Sequence, residues 1–305
     1  MQKKEKVGLY YWMIILLKKI KKAVNDMHWK MKIKKSMKKE KSSLGIEGDI
    51  LLLAHSLEKG MGLPSPRPKF GLEKAIMLLN ILENYVKSGH DVQSFAFKEG
   101  VSVLEKYFEF TKNDCSFYIN RFQRINKMVE SKNLAGVFEI QNVEDIYKKI
   151  DEDQIKYFIK SRHSIRSFLP TVIDKKILSK VIELANCAPS ACNRQPIKVY
   201  WTANDILIRQ ITELVPGNKG FEDEIPNWVL ITSNRNMFGR SESLQWYING
   251  GIYLSYFVEA LHTYKIGSCI FQIPATNPNT SALRKIASIP DNEAIIAAVG
   301  FGYPK

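Results

Sequence analysis

Cysteine, histidine and long apolar runs are all scarce in this 305-residue chain, and each scarcity removes a class of function. The four cysteines, Cys115, Cys187, Cys192 and Cys269, form no CxxC pair and have no metal-ligand spacing. Such sparse thiols suit a reducing compartment, where they serve mainly as small buried hydrophobes. The five histidines, His28, His55, His90, His163 and His262, stand singly, so no zinc site and no other metal site is expected. The apolar run Val7–Leu17 falls well short of the ~20 residues that a membrane-spanning helix needs. Low-complexity sequence is confined to the lysine-rich start, and there is no internal repeat.

Acidic residues are scarce only at the N-terminal end. Residues 1–45 hold 14 lysines against Glu5, Asp26 and Glu40, so they carry +11 of the net +14. The remaining chain is close to neutral, which argues against a nucleic-acid partner for the fold as a whole. Past Leu17 the apolar positions Ile20, Val24, Met27 and Met31 recur at helical spacing among lysines. That pattern fits a basic amphipathic helix on an anionic membrane surface, and equally a lysine-rich arm packed on the body or solvated. The lysine-bearing start resembles a secretory signal, but "KKIKKAVND" follows without a small-residue cleavage site. The expected location is the cytoplasm, with peripheral contact to the inner membrane face through residues 1–41 on the membrane reading.

Three regions follow from texture: a basic leader over 1–45, an all-helical region over 46–150, and an α+β domain over 151–305. The helical region shows apolar stripes at Ile50, Leu53, Ala54 and Leu57, at Leu72, Ile76, Leu79 and Val86, and at Val101, Leu104 and Phe108. Gly60 and Gly62 are expected to end the first helix in left-handed geometry, ahead of Pro64, Pro66 and Pro68. His55 and Glu58 share a helix face, and packing is the better reading for two lone ligands. In the third region Asp174 reads as a helix cap, and "IKVYW", "WVLITS", "IGSCIF" and "AIIAAVGF" read as four strands. The helix over about 243–264 is apolar nearly all round, so it is expected in a core or a subunit interface.

Two stretches carry chemistry. "SRHSIRSF" puts Arg162, His163, Ser164 and Arg166 together, and "APSACNRQPIKVYW" puts Pro189, Ser190, Ala191 and Asn193 in a polar turn before a strand. Either alone reads most simply as a loop. In order, with "INGGIYLSYFVEALHTYKIGSCIF" and "AIIAAVGFGYP", they resemble the flavin-dependent nitroreductase family over roughly the second half of the chain.

The resemblance implies an α+β fold around a central sheet, a homodimer, FMN at the subunit interface and NAD(P)H as co-substrate. It implies Arg162 at the flavin phosphate, His163 and Ser164 as polar contacts to phosphate or ribityl chain, and Arg166 at the N1/O2 ring edge. It places Pro189, Ser190, Ala191 and Asn193 against the flavin held mainly by the partner subunit. It further implies Asn218 at the ring, and Gly267 and Ser268 opening the strand that passes over it. No general acid and no catalytic side chain is singled out. Cys192 and Cys269 fall near these loops, with packing as their default role.

Two departures from the family pattern, the chain ending at Lys305 and a short 210–228 region, predict a weaker flavin grip or a more open pocket. "HSLEKGMGLPSPRPKFG" with its following helix resembles an extension on nitroreductase-like proteins associated with surface polysaccharide synthesis. The expected function is therefore an FMN-dependent oxidoreductase reducing a small-molecule acceptor. The rival is a non-catalytic protein of the same fold acting in membrane-associated assembly or regulation.

Overall fold

The computed structural model describes residues 42–67, 70–111, 116–130, 143–239, 242, 244–273 and 278–305, with positions 13, 15–21, 23, 24, 27 and 31. Ser42 caps helix α1 (Ser43–Met61), its hydroxyl accepting from the Gly45 N–H at 3.3 Å. Helices α2 (Leu72–Lys87), α3 (Phe95–Thr111) and α4 (Ser116–Asn126) pack with α1 around one core of Ile50, Leu57, Leu78, Leu82, Phe97 and Leu104. The α2 stripe is rotated from the expected one. Ala75, Leu78, Leu79, Leu82 and Tyr85 are its buried residues, whereas Ile76 is only half-buried.

Gly62 closes α1, but at φ −80° rather than in left-handed geometry. Gly60 lies inside the helix, where the Phe70 ring occupies the space a Cβ would take. Close approach, not backbone freedom, accounts for that glycine. Pro68 lies outside the described residues, as do Cys115 and Lys69. His55 and Glu58 stand 4.0 Å apart, and burial raises the Glu58 pKa more than His55 lowers it. Among the described residues there is no cluster of three or more potential metal ligands.

After the short α5 (Val143–Tyr147) come α6 (Glu152–Ser161) and α7 (Lys175–Ala185), capped by Asp151 and Asp174 respectively. The sheet is antiparallel in the order β1-β2-β4-β3, from β1 (Ile197–Thr202), β2 (Asn227–Asn234), β3 (Gly267–Gln272) and β4 (Glu293–Gly302). All four expected strands are present, which makes the fold α+β with an all-helical region before it. β2 and β4 are central, and β2 is buried at every residue.

One face of the sheet meets α7 and α9 (Gln245–Thr263), through Val181, Phe257, Leu261, Val229, Val299 and Phe301. The other meets α8 (Asp205–Leu214) and α10 (Pro278–Ile286), through Ile211, Leu283, Leu230, Cys269 and Ile295. A smaller cluster joins the N-terminal helices to this domain: Leu51 and Ala96 pack with Met237, Phe238, Trp246 and Ala294. The described residues between 13 and 31 are helical and, Ile15 apart, exposed. No described helix is long and apolar enough to cross a membrane.

Candidate functional site

The arginine segment is set by the end of α6. None of the α6 residues is buried, but its last turn docks on α9. Ser161 Oγ lies 2.9 Å from His262 Nε2, and the Phe158 ring packs on the His262 ring at 4.8 Å. Arg162 Nε sits 3.7 Å from Glu259 Oε1, a loose ion pair that leaves the buried Glu259 Oε2 without a hydrogen bond. His163 turns back, its Nδ1 2.8 Å from the Ser161 carbonyl.

Beyond this point the chain runs along the outer edge of β3. Ser164 bridges to Ser268, and the Ile165 N–H donates to the Ser268 carbonyl at 3.0 Å. Ile165 and Pro304 fill the space where a Gly267 side chain would stand, so the absence of a Cβ lets the segment lie flat on the strand. Further along, Leu169 N–H donates to the Tyr303 carbonyl, and Glu224 receives Ser167 Oγ and Lys305 Nζ. Arg166 is exposed and takes no ion-pair partner among the described residues. Its charge does reach the Cys269 thiol. Burial raises that thiol's pKa, and Arg166 and a Ser164 hydrogen bond offset part of the rise. Cys269 is thus a buried packing thiol.

The second block is the turn after α7. Ser190 Oγ accepts from the Gln195 N–H at 3.0 Å, and Asn249 Oδ1 accepts from the Ala191 N–H at 2.7 Å. Cys192, Asn193 and Gln195 all adopt positive φ, at 54°, 51° and 49°. Pro189 and Asn193 are exposed, while Ser190 and Ala191 are half-buried. Arg194 next to them is only 2% exposed, paired with Glu242 at 2.8 Å and stacked over the Phe238 ring.

The single chain brings Arg162, Ser164, Arg166, Gly267 and Ser268 together at the β3 edge, and Pro189 to Asn193 together elsewhere. The link between the two groups is α9. Asn249 holds the turn and Glu259 meets Arg162, ten residues on, so the two contacts are roughly 15 Å apart along the helix. The face of α9 between and around them is exposed: Ile248 at 53% and Tyr256 at 42%. The helix is therefore buried on its sheet side and bare on the other. Ile270 on β3 and Ile155, Tyr157 and Ile159 on α6 add further exposed apolar surface.

Asn218 stands apart from both groups. It is buried, and its Nδ2 donates to the Thr212 carbonyl at 2.7 Å, closing its own loop. That loop, with Asn279, lines an open cleft of about 320 Å³ to which no other candidate residue contributes. Glu259, Asn249 and the Arg194–Glu242 pair were not singled out from sequence. Asn249 had a visible signal, being a lone amide in a run of apolar helix residues.

A small antiparallel sheet with two arginines beside its β3 edge, and a strained polar turn at the far end of a half-bare helix, defines the α+β architecture of this region. Residues 159–224 match the Nitroreductase family model. That span contains every candidate residue except Gly267 and Ser268. A protein of Methanothermobacter thermautotrophicus, provisionally named an NADH dehydrogenase/NAD(P)H nitroreductase, is 21% identical over 51% of this chain and 80% of its own. Two solved structures are also similar. An FMN-dependent nitroreductase of Clostridium difficile R20291 is 19% identical at TM-score 0.43, covering 48% of this chain and 86% of its own. A provisionally named nitroreductase of Desulfovibrio desulfuricans, solved with FMN, is 17% identical at TM-score 0.44, covering 50% and 88%.

Proposed function

We propose that this chain is an FMN-dependent oxidoreductase that uses NAD(P)H to reduce a small-molecule acceptor, working as a homodimer with shared sites. One observation carries the reading: Arg166, free of any ion pair among the described residues, stands with Arg162 and Ser164 inside the family-matched region, beside Ser268 on the β3 edge. The donor set fits FMN. Two guanidiniums suit a phosphate dianion and an electron-rich ring edge, and hydroxyls suit a ribityl chain. FMN bound there would supply the redox chemistry, two-electron transfer between NAD(P)H and the acceptor.

The protein's own part is to bind and orient. Arg162 would hold the phosphate, and His163 and Ser164 would add polar contacts. Arg166 favours negative charge at the ring edge, which raises the flavin potential. The bare Gly267 backbone keeps the segment close to β3. The Pro189–Asn193 turn would serve the partner's flavin, since in its own protomer it sits at the opposite end of α9. The exposed Ile248 and Tyr256 face would then be covered by the second subunit.

The leader adds a location to this reading. Met13, Leu17, Ile20, Val24, Met27 and Met31 are each at least half exposed, with exposed Lys18, Lys19 and Lys21 among them. An exposed apolar stripe beside lysines favours reversible attachment to an anionic bilayer over packing on the body. A role in surface polysaccharide synthesis rests on the likeness of His55–Gly71 alone. The experiment that tests the core reading is anaerobic mixing of the purified protein with NADH or NADPH while following the flavin absorbance. Bleaching supports it; a protein that carries no flavin, or flavin that stays oxidised, sinks it.

A further inference from the structure

We infer that the N-terminal helical region is a brace for the Ser190–Gln195 turn, with Leu51 the positioning residue through which it acts. The inference rests on the flavin reading for what the turn does, but not for how the turn is held. Left-handed backbone is unfavourable for any residue with a Cβ, and here Cys192, Asn193 and Gln195 all adopt it. Such a run persists only where its surroundings fix it. Six polar contacts do so in part: Ala191 N–H to Asn249, Gln195 N–H to the Ser190 hydroxyl, Gln195 Nε2 to Asn193, Arg194 to Glu242, and the backbone bonds from Asn193 N–H to the Ser190 carbonyl and Arg194 N–H to the Ala191 carbonyl.

The rest of the support is apolar and comes from the other region of the chain. Helix α1 touches both the Ala191–Asn193 turn and the Arg235–Met237 turn. Ala191 packs against the cluster in which Leu51, only 2% exposed, meets Met237, Phe238 and Trp246. The seat of α1 is tight. A Cβ at Gly48 would stand 2.7 Å from the Met237 carbonyl oxygen, and Asn236 Nδ2 donates to Ser42 Oγ at 3.0 Å. Trp246 and Asn249 lie one helical turn apart on α9, so the cluster and the polar anchor of the turn share one rigid element.

The test uses the full chain with Leu51→Ala, Leu51→Met, Gly48→Ala and Leu82→Ala. Leu82 is fully buried in the N-terminal core but away from the junction, so its variant reports simple loss of stability. Two quantities are read: the rate at which N-ethylmaleimide labels Cys192, followed by peptide mass in flavin-free protein, and the dissociation constant of FMN. Leu51→Ala is expected to speed Cys192 labelling and weaken FMN by about tenfold each. Leu51→Met should restore both, and Leu82→Ala should change neither while lowering the melting temperature. Gly48→Ala, which must push α1 from Met237, should act like Leu51→Ala and serves in its place if that variant does not fold. Wild-type labelling in both junction variants, or the same acceleration in Leu82→Ala, overturns the brace. If wild-type protein binds no FMN, the flavin reading fails while the labelling result still decides the brace.

Discussion

Arg162 and Glu259 give opposite predictions, and together they test whether the arginine segment holds a phosphate. In the protein's own contacts Arg162 Nε meets Glu259 Oε1 at 3.7 Å, with the two side chains 29% and 32% exposed. A pair that long and that wet contributes no more than about 1 kcal/mol. A guanidinium donating to phosphate makes a charge-assisted bond worth roughly 1.5–3 kcal/mol. Arg162→Ala should therefore raise the FMN dissociation constant by roughly 10- to 150-fold while costing the fold about 1 kcal/mol or less. Glu259→Gln removes the carboxylate that competes for the same guanidinium. It should tighten FMN by up to about fivefold. Quenching of flavin fluorescence on titration into apoprotein measures both, with urea unfolding run in parallel. If Arg162→Ala binds as tightly as wild type, the phosphate assignment is wrong. If Glu259→Gln weakens binding as much as Arg162→Ala does, the pair is a structural brace and not a phosphate site.

Arg166→Ala should lower the flavin midpoint potential and slow reduction by NAD(P)H with little loss of FMN, as spectroelectrochemistry and stopped-flow absorbance would show. Ile248→Asp combined with Tyr256→Asp puts charge on the bare face of α9, and sedimentation should then find a monomer with depleted flavin; an intact, loaded dimer would contradict the shared-site reading. In the helical region Arg121 donates to both Glu83 oxygens, at 3.0 and 2.7 Å, and that hydrogen bonding holds the Glu83 pKa below its ordinary value. A depressed carboxylate stabilises the fold above its unfolded pKa, near 4.3, and loses that contribution as pH falls through the folded value. Arg121→Ala should thus cost up to about 1 kcal/mol at pH 7, and less as the pH falls through the folded value of Glu83, by chemical denaturation across that range. Removing residues 1–41 should abolish co-sedimentation with anionic vesicles and leave flavin content unchanged; equal binding by both forms would refute the membrane reading.

Much of the domain was legible because its signals are local. Asp174 caps the helix that its position announced, and the apolar strands β2 and β4 tolerate no other reading. The stripe on α2 was legible only as a helix. "LEKAIMLLNILENYVK" is apolar on more than one side, and docking between α1 and α3 decides that Ala75, Leu78 and Leu82 turn inward. Gly60 shows the same limit, because the Phe70 ring that requires it arrives from ten residues away. In the candidate site the two marked stretches could be read as motifs, whereas their supports could not. Asn249 and Ala191 are 58 residues apart in sequence, and Glu242 and Arg194 are 48 apart. No window of sequence contains both partners of either contact.

The sheet order carries a consequence for how the protein is made. β4, the last strand in sequence, lies between β2 and β3, so the sheet stays split until residues near 300 leave the ribosome. At about 5–20 residues per second, the stretch between β2 and β4 takes roughly 3–12 s to synthesise. Through that interval β2, apolar over "WVLI" and buried at every position in the finished fold, has one edge unpaired. An apolar strand with an open edge is a template for joining another chain. The N-terminal helices, whose core closes on itself, can be complete before β1 is made, and they present Leu51 as a docking point for the Met237 and Trp246 side chains. Crowded nascent chains of this protein should therefore be most prone to aggregate in the interval after β2 has appeared and before β4 seals it.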